Sequence, residues 1–334
     1  MVMNRKGLGG ALLLAAATFG AGMVPQESKA ASPEKSGYAF VAPLAAKSLV
    51  LQAVRAGKRL VAVGEYGHVL LSDDDGRNWR QAQSVATTTT LTSVYFLDEK
   101  QGWAVGHGGV IIGSKDGGEN WSVLAGKLDG PEILFSVWFK DSRHGIAVGP
   151  FGYAIQTADG GTTWSKRELA QGEDGERHLN QIFAGQDGTL LIAAEAGTVF
   201  RSTDGGGTWS VVKVPYKGSL WGGLTLSDGS LLVYGMRGHV LRSTDKGVNW
   251  SDAVAATDQS LTGAAQFTDG TLVLVGLGGA VARSRDGGKT FEASIDPERT
   301  SYTAVAEGAA GAAILFGLAG VQTLASGTSV GGHK

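Results

Sequence analysis

Cysteine is absent from all 334 residues. That removes disulfide staples, a thiolate nucleophile and cysteine-ligated metal together. Proline is scarce at 7 while glycine reaches 53, which separates the chain from low-complexity sequence, where the two rise together. Formal charge is only −2, with no basic block, so a nucleic-acid partner is not expected. Beyond the first 30 residues no window carries the 3.6-residue apolar period of an amphipathic helix. The one long apolar run, Leu8 to Ala21, is shorter than the roughly 20 residues a membrane-spanning helix needs.

That run is preceded by Arg5 and Lys6 and followed by Ser28, Lys29 and Ala30. A positive start, an apolar centre and small residues at the end are the order of a secretory signal peptide. Export with cleavage near Ala30 is therefore expected, with residues 1–30 as signal and 31–334 as one domain. An uncleaved anchor is the less favoured reading on length. No cysteine follows the run, so no lipoprotein attachment site exists.

What the chain does have is repetition. The pattern Ser/Thr-x-Asp-x-Gly-x-x-Trp spans Ser72 to Trp79, Ser114 to Trp121, Thr157 to Trp164, Ser202 to Trp209 and Ser243 to Trp250, with Phe291 in place of tryptophan in Ser284 to Phe291. A period of about 40 to 45 residues is the mark of a repeat architecture. Around each copy lie four apolar runs of four to seven residues, punctuated by Gly, Asp and Asn, which predicts hairpin-linked antiparallel strands. A glycine-bounded turn between the second and third strands gives an independent count: Gly64 to Gly67, Gly106 to Gly109, Gly149 to Gly152, Ala194 to Gly197, Gly235 to Gly238, Gly276 to Gly279 and Gly317 to Gly320. There are seven. The seventh repeat, Tyr302 to Ser326, keeps three strands and lacks the Asp motif. The expected fold is all-β, a seven-bladed β-propeller of four-stranded antiparallel blades, its ring closed by the N-terminal segment Tyr38 to Pro43 serving as the missing strand.

The six aspartates of the motif, Asp74, Asp116, Asp159, Asp204, Asp245 and Asp286, have two readings. As calcium ligands they supply one carboxylate per turn, against six to eight oxygens wanted by the ion, and they lie blades apart. As turn braces, every residue type in the motif has a structural role, since Ser/Thr and Asp accept backbone N–H bonds, Gly takes positive φ and Trp wedges between sheets. The brace reading is favoured, and no cofactor or metal is expected.

The motif is an Asp box, also known as the bacterial neuraminidase repeat. Its fuller unit, Ala-Val-Gly leading through Ser-x-Asp-x-Gly to Trp, is carried best by Ala62 to Trp79, Ala104 to Trp121 and Ala147 to Trp164. In this it resembles the Ycf/HCF-type photosystem II stability and assembly factor family, over roughly residues 38 to 325. The resemblance implies a seven-bladed, non-enzymatic propeller of the thylakoid lumen or bacterial periplasm that acts as assembly chaperone or scaffold for a membrane protein complex or one of its subunits. The resemblance also extends to exported relatives in bacteria without photosystems, often encoded beside exporters of the resistance-nodulation-division type, so an accessory role there is an alternative. The Asp box is shared with glycosidases and glycan binders, which is the other alternative.

A sialidase on this fold needs three convergent arginines, a Tyr–Glu nucleophile pair and an acidic proton donor. The Arg-Ile/Val-Pro signature for the first arginine is absent, Val41, Ala42 and Pro43 being the nearest stretch. Histidines 68, 107, 144, 178, 239 and 333 form no zinc-protease pattern, and no Gly-x-Ser-x-Gly or P-loop occurs. An enzyme is therefore not expected. Two surfaces are candidates for a protein partner of what is expected to be a monomer. The first is the face of the glycine turns, with Tyr66, His107, Phe151, Met236 and Arg237 at the tips; their apolar character marks either an interaction surface or a plug folded into the channel mouth. The second is Arg201, Arg242 and Arg283, each one residue before its Asp box in three successive repeats. They form a patch suited to a partner carboxylate, or ordinary salt-bridged strand positions.

Overall fold

Apolar residues fill the second strand of every repeat without alternation, so both faces of that strand must be covered. Leu60 to Val63, Leu190 to Ala194 and Leu272 to Val275 are all at 0% exposure. A sheet covered on both faces in every repeat has a neighbour on each side. Stacked sheets of that kind make a ring when the last meets the first.

The computed structural model describes residues 37–325 except 126, 127, 129, 132 and 254. Contacts divide the chain into Met1–Glu34 and Lys35–Lys334, and the expected signal peptide, residues 1–30, lies outside the described residues. Seven sheets follow one another, each built on strands that are antiparallel and in sequence order, with one added strand in the second. The inner strands are Val50–Ala56, Leu91–Phe96, Ser136–Phe139, Leu179–Ala184, Leu220–Thr225, Leu261–Gln266 and Tyr302–Glu307. Each packs against the inner strand on either side, the first against the seventh, so the ring is closed. The chain is a seven-bladed β-propeller, as the repeats predict. Blade two gains a fifth strand, Ser84–Val85, pairing in parallel with Asn120–Val123.

Polar side chains on the inner strands tie each blade to the next. Thr92 Oγ1 donates to the Leu134 carbonyl, Asn180 Nδ2 to that of Leu220 at 2.8 Å, and Thr262 Oγ1 to that of Tyr302 at 2.7 Å. One residue further on, Gln52 Oε1 accepts the Val94 N–H at 2.7 Å and Gln181 Oε1 that of Gly223 at 2.9 Å. A bulge in the inner strand, where Val50/Gln52, Leu179/Gln181 and Leu261/Gly263 skip a residue in register, aims these side chains sideways.

The closing strand is a correction. Among the described residues the seventh blade has three strands, Tyr302–Glu307, Ala313–Gly317 and Gly320–Leu324, and Tyr38 to Pro43 does not join them. That segment lies outside blade one, where Gln81 Oε1 accepts the Ala42 N–H at 2.7 Å, Gln81 Nε2 donates to the Phe40 carbonyl at 3.0 Å, and the Ala39 N–H reaches the Val85 carbonyl at 2.9 Å. The ring closes instead by side-chain packing and hydrogen bonds. Thr303 Oγ1 donates to the Val50 carbonyl at 2.6 Å. Trp79 meets Phe316 edge-on at 5.6 Å, in a cluster with Leu60, Leu70, Ala304 and Ile314.

The Asp boxes are braces in atomic detail. In each, the Ser or Thr hydroxyl donates to Asp Oδ1 and accepts the N–H of the glycine four residues on, at 2.9 to 3.0 Å. Asp Oδ1 accepts a backbone N–H four residues on, and Oδ2 the side chain of that same residue, as at Asn78 and Thr208. The tryptophan Nε1 then donates to the glycine carbonyl three residues before it, 2.8 Å at Trp121. Both carboxylate oxygens are thereby engaged inside the turn.

Those bonds stabilise the ionised form. The N–H of Asn78 holds Asp74 down from 3.8 to about 2, the Thr163 hydroxyl does the same for Asp159, and Asp204 and Asp286 lie lower still. Between about pH 4 and pH 2 the unfolded chain then binds more protons than the folded one, so this stability is present above about pH 4 and lost as pH falls to 2. The midpoint of thermal unfolding should drop steeply across that window, and Asp204→Asn should flatten the slope while lowering the midpoint at neutral pH. At the ring closure, Thr303→Val keeps the shape but removes the donor to Val50, and urea unfolding should show a loss of about 1–2 kcal/mol.

Candidate functional site

Antiparallel order puts the glycine turns and the blade-to-blade connections on one face and the Asp boxes on the other. Six of the seven tips are turns with two left-handed residues, and the seventh has Gly320 alone. At the first blade His68 N–H bonds to the Glu65 carbonyl at 3.0 Å, with φ of 58° at Tyr66 and 69° at Gly67. Two positive values in succession define type I′, which favours glycine or asparagine at both positions. Here the first is Tyr66, Phe151, Ala196 or Arg237, all with φ of 52–58°, at a cost of order 1–3 kcal/mol each. Glycine is obligatory at the second: a Cβ on Gly152 or Gly197 would lie 1.6 Å from the carbonyl of Gly175 or Tyr216.

The turns are strung together by the residue that precedes each inner strand. The Ser260 carbonyl accepts the Leu277 N–H of its own blade, while its hydroxyl accepts the Arg237 N–H of the blade before, at 2.9 and 3.2 Å. Ser301 does the same for Leu318 and Gly278. At the fourth blade the residue is His178, whose Nδ1 accepts the Phe151 N–H at 3.1 Å and whose ring meets Phe151 edge-on at 4.6 Å. Sequence reasoning misses this residue because a lone histidine or serine before a strand carries no pattern.

All five turn-tip candidates fall on this face. Phe151 is 66% exposed, Tyr66 50% and Leu318 64%; His107 and Arg237 are exposed and Met236 is half-buried. None of them lines the central channel, a cavity of about 290 Å³ walled by inner-strand residues such as Gln52, Phe135, Asn180 and Trp221. Most of the tips are exposed and none lines that cavity. Beside Tyr66, the N-terminal segment adds Phe40, with ring centroids 5.8 Å apart, and exposed Tyr38, Val41 and Leu44. Met236 contributes its carbonyl to Tyr216 Oη at 3.1 Å, and the Tyr216 ring stacks on His239 at 3.8 Å.

The arginines point elsewhere. Arg201 Nε donates to the Lys246 carbonyl at 2.7 Å and Arg242 Nε to that of Gly287 at 2.9 Å, in each case the residue after the aspartate in the next blade's Asp box. Arg242 also pairs with Asp228 at 3.0 Å. Other donors reach the same carbonyl elsewhere in the ring: Arg59 at Gly117, Trp103 at Gly160 and the Ala309 N–H at Asp75. Arg283 occupies the equivalent position in blade six, half-buried, with burial and neighbouring Arg285 lowering its pKa. The three arginines are thus spread over successive blades and two of them are fixed in inter-blade bonds.

Among the described residues no cluster of three or more His, Asp or Glu side chains could hold a metal, and no helix is long and apolar enough to cross a membrane. The turn face carries the exposed rings of Tyr66 and Phe151 and the aliphatic Leu277 and Leu318, with Glu65, Glu195 and Arg237 among them. Exposed apolar groups of this kind are a common feature of protein interaction surfaces.

Beneath it, His68 is 3% exposed, both its ring nitrogens lack a hydrogen-bond partner among the described residues, and it sits edge-on to Phe40 at 5.2 Å. Burial lowers its pKa, with Glu65 opposing. The neutral ring is favoured in the folded state, so the stability it supports is present above about pH 6.5 and lost as pH falls below. Amide exchange in Tyr38 to Leu44, corrected for intrinsic rates, should quicken from pH 7.5 to pH 5, and His68→Phe should remove that difference.

The family model for the photosynthesis system II assembly factor YCF48 matches residues 30–115 and 114–276. Among solved structures, YCF48 bound to D1 peptide is similar at 19% identity with a TM-score of 0.66, over 87% of this chain and 98% of that one. YCF48 from Cyanidioschyzon merolae is similar at 19% identity with a TM-score of 0.64, over 86% and 97%. A streptogramin B lyase reaches a TM-score of 0.71 at 12% identity, over 84% and 94%, a likeness of fold alone. No curated protein sequence matches the chain.

Proposed function

Because the chain belongs to the photosynthesis system II assembly factor YCF48 family, we propose that it is a non-enzymatic propeller that holds a segment of a membrane protein during assembly of its complex, acting as chaperone or scaffold. The observation that carries this reading is the turn face, where Tyr66 and Phe151 keep left-handed backbone at positions suited to glycine and present exposed rings. Strain retained in that way points to use of the side chain. A similar structure is YCF48 bound to D1 peptide, which supports a peptide segment as the ligand class here. Work of this kind needs surface presentation and no covalent step. In support, the Asp-box carboxylates are engaged within their own turns. Export directed by residues 1–30 belongs to the same proposal and would place the chain in the periplasm, or in the thylakoid lumen of a photosynthetic host.

Photocrosslinking residues placed at positions 66 and 151 in the living host should capture an integral membrane protein. The double variant Tyr66→Ser with Phe151→Ser should reduce its recovery about tenfold or more, as expected of two anchor residues, with the unfolding midpoint nearly unchanged. Arg201→Gln with Arg242→Gln should instead lower the midpoint and spare recovery. Capture of no membrane protein, or recovery lost with the arginine pair at unchanged stability, would overturn the assignment to the turn face.

A further inference from the structure

Six blades have a fourth, outer strand and the seventh has none among the described residues. Its third strand, Gly320–Leu324, is therefore a sheet edge. We propose that this edge is a docking site for an extended segment of a partner protein, which pairs antiparallel to Val321–Leu324 as the blade's fourth strand. This rests on the reading of the chain as a protein-binding propeller and adds a second, backbone-directed contact to it.

Register identifies the groups that face outward. In blades one and two the carbonyls of Val69 and Ile111 accept N–H bonds from Ala82 and Leu124, which follow on the outer side, at 2.8 and 3.0 Å. Val69 is the register partner of Val63 and Ile111 of Val105, the residues just before the turn glycine. In blade seven the partner of Phe316, which precedes Gly317, is Val321. Val321 therefore faces its polar backbone outward, and by strand alternation so does Thr323, while Gln322 and Leu324 bond to the second strand. Burial agrees: no third strand of the other six blades holds an exposed residue, whereas Thr323 is exposed and Val321, Gln322 and Leu324 are half-buried.

The slot is apolar on both sides. Val321 packs with the cluster shared by blades seven and one, and Leu324 with that of blades six and seven. The chain's own turn Ala45–Lys47 covers the Gly320 end, since a Cβ there would lie 2.2 Å from the Ala46 carbonyl. Among the described residues the other end carries no Asp box. What fits can be read from the six outer strands that fill the equivalent position. They are two to four residues long, for example Ser210–Lys213 and Glu292–Ile295, and each contains or directly follows Trp79, Trp121, Trp164, Trp209, Trp250 or Phe291. The occupant is thus an extended partner stretch of similar length with an aromatic residue at its N-terminal end, held by main-chain bonds. Leu318 and Leu44, next to that covered end in sequence, are exposed.

The probe is a fluorescent hexapeptide copying Trp209 to Val214 of this chain, added to the whole mature protein and followed by anisotropy. Saturable binding is expected, with slowed amide exchange at Val321 and Thr323. Thr323→Pro removes an outward N–H without touching the bonds to the second strand and should weaken binding about tenfold or more. Thr323→Val should bind as the parent does, and circular dichroism confirms that both variants fold. No binding, or binding unchanged in folded Thr323→Pro, overturns the proposal. So does binding that needs deletion of residues 326–334, which would make the chain's own tail the occupant, or a dimer that Thr323→Pro dissolves, which would make it a second copy. Loss of the membrane-protein crosslink at positions 66 and 151 with peptide binding intact would reject the turn-face reading alone, and the reverse result would reject the edge.

Discussion

Burial of both faces of every blade is the constraint on which the rest of this molecule depends. A second strand as apolar as Leu190 to Ala194 cannot stop at two sheets, because whichever sheet came last would leave such a strand against water. The ring satisfies all seven at once. It does so with a repeated set of directional bonds as well as with packing: inner-strand side chains reach the next blade's carbonyls, and a donor from one blade reaches the residue after the aspartate in the next blade's Asp box. Each bond contributes on the order of 1 kcal/mol. Their larger effect is to fix the angle between blades, and with it the relative positions of groups on the two faces.

The motif that dominates the sequence has its carboxylates engaged within its own turns. A carboxylate that accepts a backbone N–H, a side-chain donor and a serine hydroxyl, as Asp204 does, has little capacity left for a ligand, and its lowered pKa reports the same engagement. The arginines just before the boxes follow a similar logic. Arg201 and Arg242, on third strands, make the bond to the next blade's box that Trp103 makes from the second strand of blade two. Indole and guanidinium reach the equivalent carbonyl from different strands because the bond requires an N–H donor of the right reach and no particular charge.

The blade number, strand order and Asp-box chemistry were legible because each depends on local pattern repeated many times: Ser72, Asp74, Gly76 and Trp79 sit within one turn, and six copies average out accident. The expected closing strand failed for the opposite reason. Whether Tyr38 to Pro43 joins blade seven or lies along blade one is decided by long-range contacts such as Gln81 with Ala42, and an apolar hexapeptide fits either edge. His178 was hidden similarly. Its link to Phe151 spans two blades, and its counterparts Ser260 and Ser301 look like loop residues until the turns are placed beside them. The turn tips were recognisable as apolar, but only backbone angles show that Tyr66 and Phe151 are held against their conformational preference.

Scaffold and surface share the same pair of left-handed angles. In the braces the second of the two residues is glycine throughout, and a Cβ at Gly206 would lie 2.5 Å from Ile146, while the first is glycine in four boxes and Asp75 or Lys246 in the other two. At the tips residue type and backbone conformation disagree at four of seven turns, although the same chain places glycine at the equivalent Gly108 and Gly278. Packing accounts for the disagreement only in part: the Phe151 ring meets His178 and the Tyr66 ring meets Phe40, yet each keeps half or more of its surface in solvent. Local consistency is the rule for a chain that folds, and its breakdown is expected where a group serves something outside the fold. The exposed rings of Tyr66 and Phe151, held outward by hydrogen-bonded turns, are the physical ground on which we propose the turn face as the surface that meets a partner.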